Sequence, residues 1–286
     1  MPNFSGRRQI QIMRKVSLKG TSLSTSRLGF GTSGLHQLLR SRNRQDLLAT
    51  AFDLGIRHFD TSPYYGHGIA ERELGRFARN RRSELLIATK FGLQPDPLLA
   101  RFPWLMYARL SVNAAQRRIT KKNRLAITPA RDYSAREARL SLERSLRALR
   151  TDHVDIYFLH DPTRELLAPN GELIETLDRL RQEGKARYVG VAGPGRDCIE
   201  VAARLSAAAQ VLQVNAAAGA QDLNLVRDAG LHCHLSFGHF RGKAAPTKTL
   251  LTDAVRDNAD GVILYSSRRA PRVAEIAAHL AELEQS

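Results

Sequence analysis

The stretch that decides the fold is GIRHFDTSPYYG at residues 55–66. A short apolar run in it ends on Asp60, and Tyr65 follows five residues later. Two further apolar runs have the same form, since Leu86–Lys90 ends on a lysine and Ile156–His160 on a histidine. Such polar ends on neighbouring buried strands are costly unless they face each other or a ligand. The pattern is typical of a parallel β/α barrel, which carries its chemistry at the carboxyl ends of its strands.

Strand-like runs recur eight times along the chain and alternate with amphipathic helical stretches. Eight strand–helix repeats close a barrel, so we predict a (β/α)8 TIM barrel over residues 16–286, preceded by a basic arm at 1–15. The predicted strands are Arg27–Thr32, Ile56–Thr61, Leu85–Phe91, Val154–His160, Ala186–Ala192, Val211–Ala216, Leu231–Phe237 and Gly261–Ser266. The predicted helices include Arg44–Asp53, Ser134–Arg150, Leu173–Glu183, Asp197–Ala208 and Leu223–Ala229.

Two segments fall outside this repeat. Residues 7–26 contain two short alternating runs, at 9–13 and 16–20, which predict a β-hairpin covering the closed bottom of the barrel. Residues 91–133 form a long insertion after the third strand, apolar at 102–107 and basic beyond. Long connections of this kind are usually functional or disordered. The insertion could cover the substrate, or its apolar part could simply pack on a neighbouring helix.

Composition limits the class of protein. The chain has 286 residues, of which 43% are hydrophobic and 25% charged, and this balance is typical of a soluble globular protein. No apolar stretch approaches the ~20 residues of a membrane helix. Residues 1–8 lack an apolar signal core, so we expect a cytoplasmic protein. The two cysteines, Cys198 and Cys233, offer neither a disulfide framework nor a metal site.

The net charge of +16 is concentrated in two segments of the chain. Residues 1–45 contain nine Lys or Arg and no acid, and residues 101–131 contain eight and no acid, whereas the rest of the chain is nearly neutral. These segments could be a solvated tail and loop, which we favour. They could also meet an anionic partner such as a membrane surface, nucleic acid or a phosphorylated substrate. Few aromatics accompany the charge, so no specific nucleic-acid binding is expected.

From residue 16 to 285 the chain resembles the aldo-keto reductase family. Phe59-Asp60-Thr61, then Tyr65-Gly66, Glu71 and Gly75, reproduces the spacing of the family signature. The segments that carry the resemblance are Leu28–Thr32, GIRHFDTSPYYGHGIAERELG at 55–75, ATKFG at 88–92, SLERSLRALRTDHVDIYFLHDP at 141–162 and GKARYVGVAG at 184–193.

The resemblance implies a catalytic tetrad of Asp60, Tyr65, Lys90 and His160. In the family the tyrosine is the general acid, the lysine perturbs it, the aspartate pairs with the lysine and the histidine orients the substrate carbonyl. Lys90 beside Tyr65 favours the phenolate, so we expect the tyrosine pKa to fall from about 10 towards the working range. Asp60 would keep Lys90 charged, and His160 would donate a hydrogen bond to the oxygen that Tyr65 protonates.

The resemblance also implies a nicotinamide cofactor. The family holds the nicotinamide amide with a Ser-Asn pair after the fifth strand and a Gln on the sixth. Gln213 matches the latter, but Ala192-Gly193 replaces the former, at a cost of about 0.5–1.5 kcal/mol per lost hydrogen bond. The family's stacking Tyr on the seventh strand has no match. Ser236 or Phe237 falls there, and Phe237 could stack equally well.

At the eighth strand, the spacing of Ser267, Arg272 and Glu275 is similar to the family's adenosine-binding set. Arg272 with Arg268 and Arg269 offers charge-assisted hydrogen bonds to a 2′-phosphate, which favours NADP over NAD. Alternatively, Ser267 caps the last helix and the arginines face solvent. The predicted cofactor-binding residues are Gly31, Thr32, Asp60, Gln213, Phe237, Ser267, Arg272 and Glu275.

The leading interpretation is an NADP-dependent oxidoreductase that reduces an aldehyde, ketone or sugar carbonyl, with Tyr65 as general acid. The altered nicotinamide clamp keeps open a second class, a nucleotide-binding regulatory or sensing subunit with little turnover. Retention of all four catalytic residue types argues against it. A third class is membrane or nucleic-acid association through the basic segments.

Overall fold

Eight parallel strands form a closed barrel, as the sequence predicts. The computed structural model describes residues 13–102, 104–108, 129–163, 165 and 171–285. A two-stranded hairpin, β1 (Lys15–Ser17) and β2 (Ser24–Ser26), precedes the barrel. The barrel strands are β3 (Leu28–Gly31), β4 (His58–Asp60), β5 (Leu86–Phe91), β6 (Val154–His160), β7 (Ala186–Gly193), β8 (Val211–Asn215), β9 (Leu235–Phe237) and β10 (Val262–Tyr265).

Helices surround the barrel, and their apolar faces pack on the outward-facing strand residues, such as Phe59 and Leu159. All five predicted helices are present, each within about three residues of its predicted bounds. The helices are α1 (Ser41–Asp53), α2 (Ile69–Ala78), α3 (Pro97–Arg101), α4 (Ala135–Leu149), α5 (Gly171–Gln182), α6 (Gly195–Leu205), α7 (Gln221–Asp228), α8 (Thr247–Asp257) and α9 (Ala270–Gln285), and residues 104–108 are also helical.

Strand register places the polar strand ends on the inside of the barrel. Asp60 pairs with Ala88 in β5, and Lys90 pairs with Phe158 in β6. Side chains alternate between the two faces of a strand, so Lys90 lies on the same inward face as Ala88. The interior below is filled by an apolar cluster that includes Ala88, Ile156 and Phe158. The barrel is therefore a packed core with its polar layer at the carboxyl ends of the strands.

The hairpin closes the opposite end of the barrel. Leu18 and Leu23 join the apolar cluster of the barrel interior, and the Ser22 amide donates to the Tyr188 hydroxyl at 2.8 Å. The predicted hairpin within residues 7–26 is confirmed, and its strands are β1 and β2; of the run at 9–13, only Met13 is among the described residues. Residues 1–12 lie outside the described residues, so the boundary between arm and barrel at residue 16 stays a prediction.

The described part of the 91–133 insertion is tied to the barrel at its two ends. The segments flanking Gly92 and Arg131 pair as a short antiparallel stem, with Gln94 N–H donating to the Ala130 carbonyl at 2.9 Å. Further along, Leu99 and Met106 pack on Ile69 of α2. Packing of the apolar part on a neighbouring helix is therefore confirmed. Residues 103 and 109–128, which carry most of the basic charge, lie outside the described residues.

Candidate active site

A buried ion pair forms the floor of the candidate site. The Lys90 ammonium donates to Asp60 Oδ1 and, at 3.2 Å, to the Thr61 carbonyl. Gln213 Nε2 donates to the same Asp60 oxygen at 3.2 Å. Burial raises the pKa of Asp60 and lowers the pKa of Lys90, and the attraction between the two groups opposes both shifts. The structure thus brings three of the predicted residues into one hydrogen-bonded group.

Tyr65 lies above this pair, in the loop between β4 and α2. The Lys90 ammonium is 5.4 Å from the centre of the tyrosine ring. The expectation that Lys90 lowers the tyrosine pKa is wrong. Burial raises the pKa of Tyr65 well above 10, and the carboxylates of Asp60 and Asp161 raise it further. Because the lysine charge is already neutralised by Asp60, it gives the phenolate little support.

His160 ends β6 and faces Tyr65. The two rings meet edge-on, with their centroids 5.7 Å apart. Burial lowers the pKa of His160 well below 6.5, with further lowering by the charges of Lys90 and Arg131, so the imidazole is neutral at pH 7. Its Nδ1 lies 3.2 Å from Ser62 Oγ, a contact that the sequence analysis missed.

The Ser62 contact bears on which imidazole nitrogen carries the proton. Ser62 Oγ accepts the Tyr64 amide hydrogen at 3.2 Å, and its hydroxyl can either donate to His160 Nδ1 or accept a hydrogen from it. In the first arrangement the neutral imidazole carries its proton on Nε2. In that arrangement His160 is an Nε2–H donor.

All four tetrad residues line one cavity of about 530 Å³ at the carboxyl ends of the strands. Gly31, Gln213 and Phe237 of the predicted cofactor set line it too. Ser236 instead bonds His239 at 2.8 Å outside the cavity, so Phe237 is the inward residue of β9. Lining residues that the sequence analysis missed include Tyr64, Leu93, Asp161, Phe240 and Arg241, whose loop positions carry no periodicity signal.

The predicted adenosine-binding residues lie apart from this cavity. Ser267 accepts the Arg269 amide hydrogen at 3.1 Å just before α9, whereas Arg272 and Glu275 are exposed on the first turns of that helix. Thr32 is buried, and its hydroxyl donates to the Asp60 carbonyl at 3.0 Å. Its hydroxyl hydrogen is therefore used in a hydrogen bond within the barrel wall.

Other site types find no support in the described part of the chain. No group of three or more His, Cys, Asp or Glu side chains with metal-binding geometry occurs there. None of the described helices combines the length and apolarity needed to cross a bilayer. Both cysteines are free thiols.

Comparison with known proteins identifies the family. Residues 27–226 match the Aldo/keto reductase family, so the chain belongs to this family of oxidoreductases. It is 32% identical over 191 residues to L-galactose dehydrogenase of Arabidopsis thaliana, covering 63% of this chain and 50% of that protein. It is 26% identical over 251 residues to D-threo-aldose 1-dehydrogenase of a Pseudomonas species, covering 85% of this chain and 66% of that protein.

The chain thus spans about half to two thirds of these two relatives. Among solved structures, the holo form of aldo-keto reductase AKR11C1 from Bacillus halodurans superposes with a TM-score of 0.70 at 20% identity, covering 94% of this chain and 91% of that one. This likeness shows the shared fold. The names of two further relatives state different cofactors, NADP(+) for one and NADH for the other.

Proposed function

We propose that this chain is an NADP-dependent oxidoreductase that reduces an aldehyde, ketone or sugar carbonyl to the alcohol. One observation carries the proposal. Tyr65, the Asp60–Lys90 pair and a neutral His160 line the same cavity at the carboxyl ends of adjacent strands. A lone ion pair or a lone histidine is commonly structural, but an acid, an ammonium and an imidazole donor sharing a cavity fit carbonyl chemistry.

The cavity also suits a nicotinamide. Gln213 Oε1 is buried without a hydrogen-bond partner among the described residues, and it is available to an amide N–H. Phe237 presents a half-buried ring in the cavity wall for stacking. Gln213 and Phe237 would hold the nicotinamide end, and the bound cofactor would supply the hydride.

The remaining chemistry belongs to the side chains. The raised pKa of Tyr65 keeps its hydroxyl protonated at neutral pH, so this group can donate a proton to a carbonyl oxygen as negative charge develops. His160 would donate its Nε2–H to the same oxygen. The Asp60–Lys90 pair forms the floor of the cavity below Tyr65.

The preference for NADP rests on Arg272. Its guanidinium is exposed on the first turn of α9, near Arg268 and Arg269. Exposed guanidinium groups at a helix start can pair with a 2′-phosphate, whereas a ribose hydroxyl gives them no charge to neutralise. Replacement Arg272→Ala is thus expected to weaken NADPH binding and leave NADH binding nearly unchanged.

The substrate class is inferred from the cavity lining and from two relatives. Tyr64 and Leu93 give the cavity an apolar wall. The two relatives are named as dehydrogenases of sugars, L-galactose and D-threo-aldose. A small aldehyde or an open-chain sugar carbonyl is the proposed substrate.

The test mixes the full chain with NADPH or NADH and a panel of aldehydes, ketones and aldoses. Cofactor oxidation is followed by absorbance, and cofactor affinity is measured by calorimetry. Turnover with NADPH supports the proposal. Tight binding of NADPH without turnover on any substrate would instead favour a nucleotide-binding regulatory subunit, and binding of neither cofactor would contradict both.

A further inference from the structure

The gap left by the missing family asparagine lies beside a carboxylate. A side chain built on Gly193 would begin 3.5 Å from Asp161 Oδ1, which is ordinary van der Waals contact. The Asp161 carboxylate therefore lies next to the space that an asparagine at 193 would occupy. Both Asp161 and Gln213 line the active-site cavity.

Asp161 is held in an uncommon conformation. Its φ is 48°, in the left-handed region that aspartate tolerates better than most residues. Its amide donates to the Ala192 carbonyl at 2.7 Å, and its carbonyl accepts from the Tyr133 hydroxyl at 3.0 Å and from Arg131. Three contacts thus fix the backbone and direct the side chain.

The carboxylate itself has no hydrogen bond within the described residues. It is half-buried, burial raises its pKa, and the charges of Arg131 and Lys90 oppose that shift. A half-buried carboxylate without a donor is costly, and a ligand N–H would relieve the cost. The unpartnered Gln213 Oε1 is a second acceptor in the same cavity.

We propose that Asp161 binds the carboxamide of the nicotinamide, accepting an N–H from its NH2 group in place of the missing asparagine. This rests on the proposed nicotinamide-dependent function. The asparagine of the family can give an N–H or accept one, whereas a carboxylate only accepts. The amide is therefore oriented with its nitrogen towards Asp161.

The experiment compares two cofactors that differ only at this group. NADP+ carries the carboxamide, and its 3-acetylpyridine analogue carries a methyl ketone with no N–H to donate. Calorimetry measures the binding of both to the wild-type chain and to Asp161→Gly, in which glycine accepts the left-handed backbone without strain. Removing a hydrogen bond to a charged acceptor is expected to weaken NADP+ binding about 10- to 100-fold.

The same substitution is expected to change binding of the analogue less than about threefold. Equal weakening of both ligands would mean that Asp161 acts through its charge or its backbone and not through the carboxamide N–H, and unchanged NADP+ affinity would mean that it has no role; either result overturns the inference. Failure of the wild-type chain to bind NADP+ would overturn the proposed function itself, which is a separate and recognisable result.

Two further variants complete the design. Arg150→Gly places a glycine at another left-handed residue, φ 55°, at the end of α4 and outside the cavity, and it should bind both ligands as the wild type does. The double variant Asp161→Gly with Gly193→Asn restores the asparagine of the family's Ser-Asn pair. It should regain NADP+ affinity relative to Asp161→Gly alone, and failure to regain any would count against the proposed placement of the carboxamide.

Discussion

Tyr65 can act as an acid only if its proton is available at the right moment. Its pKa is raised by burial and by two carboxylates, so it remains protonated through the neutral range. Replacement Tyr65→Phe keeps the ring and its contact with His160 but removes the proton. We expect kcat for carbonyl reduction to fall about 10²- to 10⁴-fold, while the melting temperature and NADPH affinity change little. Wild-type turnover in this variant would exclude Tyr65 as the acid.

Ser62 is expected to act through His160. Without its hydroxyl, Nδ1 loses this hydrogen-bond partner and the imidazole can place its proton on either nitrogen. Replacement Ser62→Ala should lower kcat about 5- to 10-fold, as expected for about 1 kcal/mol of lost hydrogen bonding, with KM nearly unchanged. Nitrogen NMR of His160 should change from the Nε2–H tautomer to a mixture.

A matched control for that prediction is Ser33→Ala. Ser33 also lines the cavity but is not a hydrogen-bond partner of His160 among the described residues. Its substitution should leave the imidazole tautomer unchanged. A pure Nε2–H tautomer in Ser62→Ala would show that some other group fixes the ring.

The tetrad positions could be predicted from the sequence, whereas their electrostatics could not. Asp60, Lys90 and His160 are strand-end residues, so an apolar run with a polar end was enough to find them. The pKa of Tyr65 depends instead on the burial of its hydroxyl and on the charges of Asp60 and Asp161. Burial and distances between charges are properties of the three-dimensional structure that no spacing in the sequence encodes.

At the scale of elements, the stem of the insertion supports the active site through one glycine. Gly92 has φ 109°, and a Cβ there would lie 2.0 Å from the Tyr133 ring. Tyr133 in turn donates to the carbonyls of His160, at 2.7 Å, and Asp161. Replacement Gly92→Ala must therefore displace the tyrosine that holds the end of β6.

We expect Gly92→Ala to lower the free energy of unfolding by about 2–4 kcal/mol, from backbone strain plus a displaced buried ring, and to weaken cofactor binding. Urea unfolding and calorimetry measure the two effects. Gly184→Ala is the control, because Gly184 has φ 70° but nothing within 4 Å of its Cβ position. It should cost about 1 kcal/mol and leave binding intact. Equal effects in both variants would contradict the packing argument.

Elements of regular period were predictable, and irregular ones were not. The barrel strands and flanking helices carry clear apolar patterns, so their order and approximate bounds follow from the sequence. The hairpin was predictable within residues 7–26, but its exact strands were not, because the runs at 9–13 and 16–20 alternate as residues 24–26 do and the local pattern does not select which of them pair. Likewise, the pairing of Leu93 with Arg131 spans too long a segment to read from local pattern.

At the scale of the whole molecule, some of the basic side chains form buried contacts that stabilise the fold. Arg27 is buried and donates to the Asn258 carbonyl at 2.7 Å, and Arg44 is buried in an ion pair with Glu73 at 3.2 Å. Neither is free to meet an anionic partner. Binding of such a partner stays a prediction for the remaining basic residues of segments 1–45 and 101–131.

His58 links the barrel interior to the pH dependence of folding. It is fully buried, and neither ring nitrogen has a hydrogen-bond partner among the described residues. Burial lowers its pKa from 6.5 to about 3, with further lowering by Lys90 and an opposing effect of Asp155. Below about pH 6.5 the His58 side chain is therefore protonated in the unfolded chain, whereas in the folded chain it stays neutral down to about pH 3.

Stability must consequently fall as the pH falls through this window, because the unfolded state binds more protons than the folded state. His58 alone contributes a slope approaching about 1.4 kcal/mol per pH unit between pH 6 and pH 4. Replacement His58→Leu, of similar volume, should remove this slope, so the gain in free energy of unfolding over the wild type should be larger at pH 5 than at pH 7. Urea unfolding of wild type and variant across pH 4.5–7.5 measures the difference, in which contributions of other groups cancel. His58→Gln, polar but without a titration, should also lose the slope, and a slope retained in both variants would place the proton uptake elsewhere.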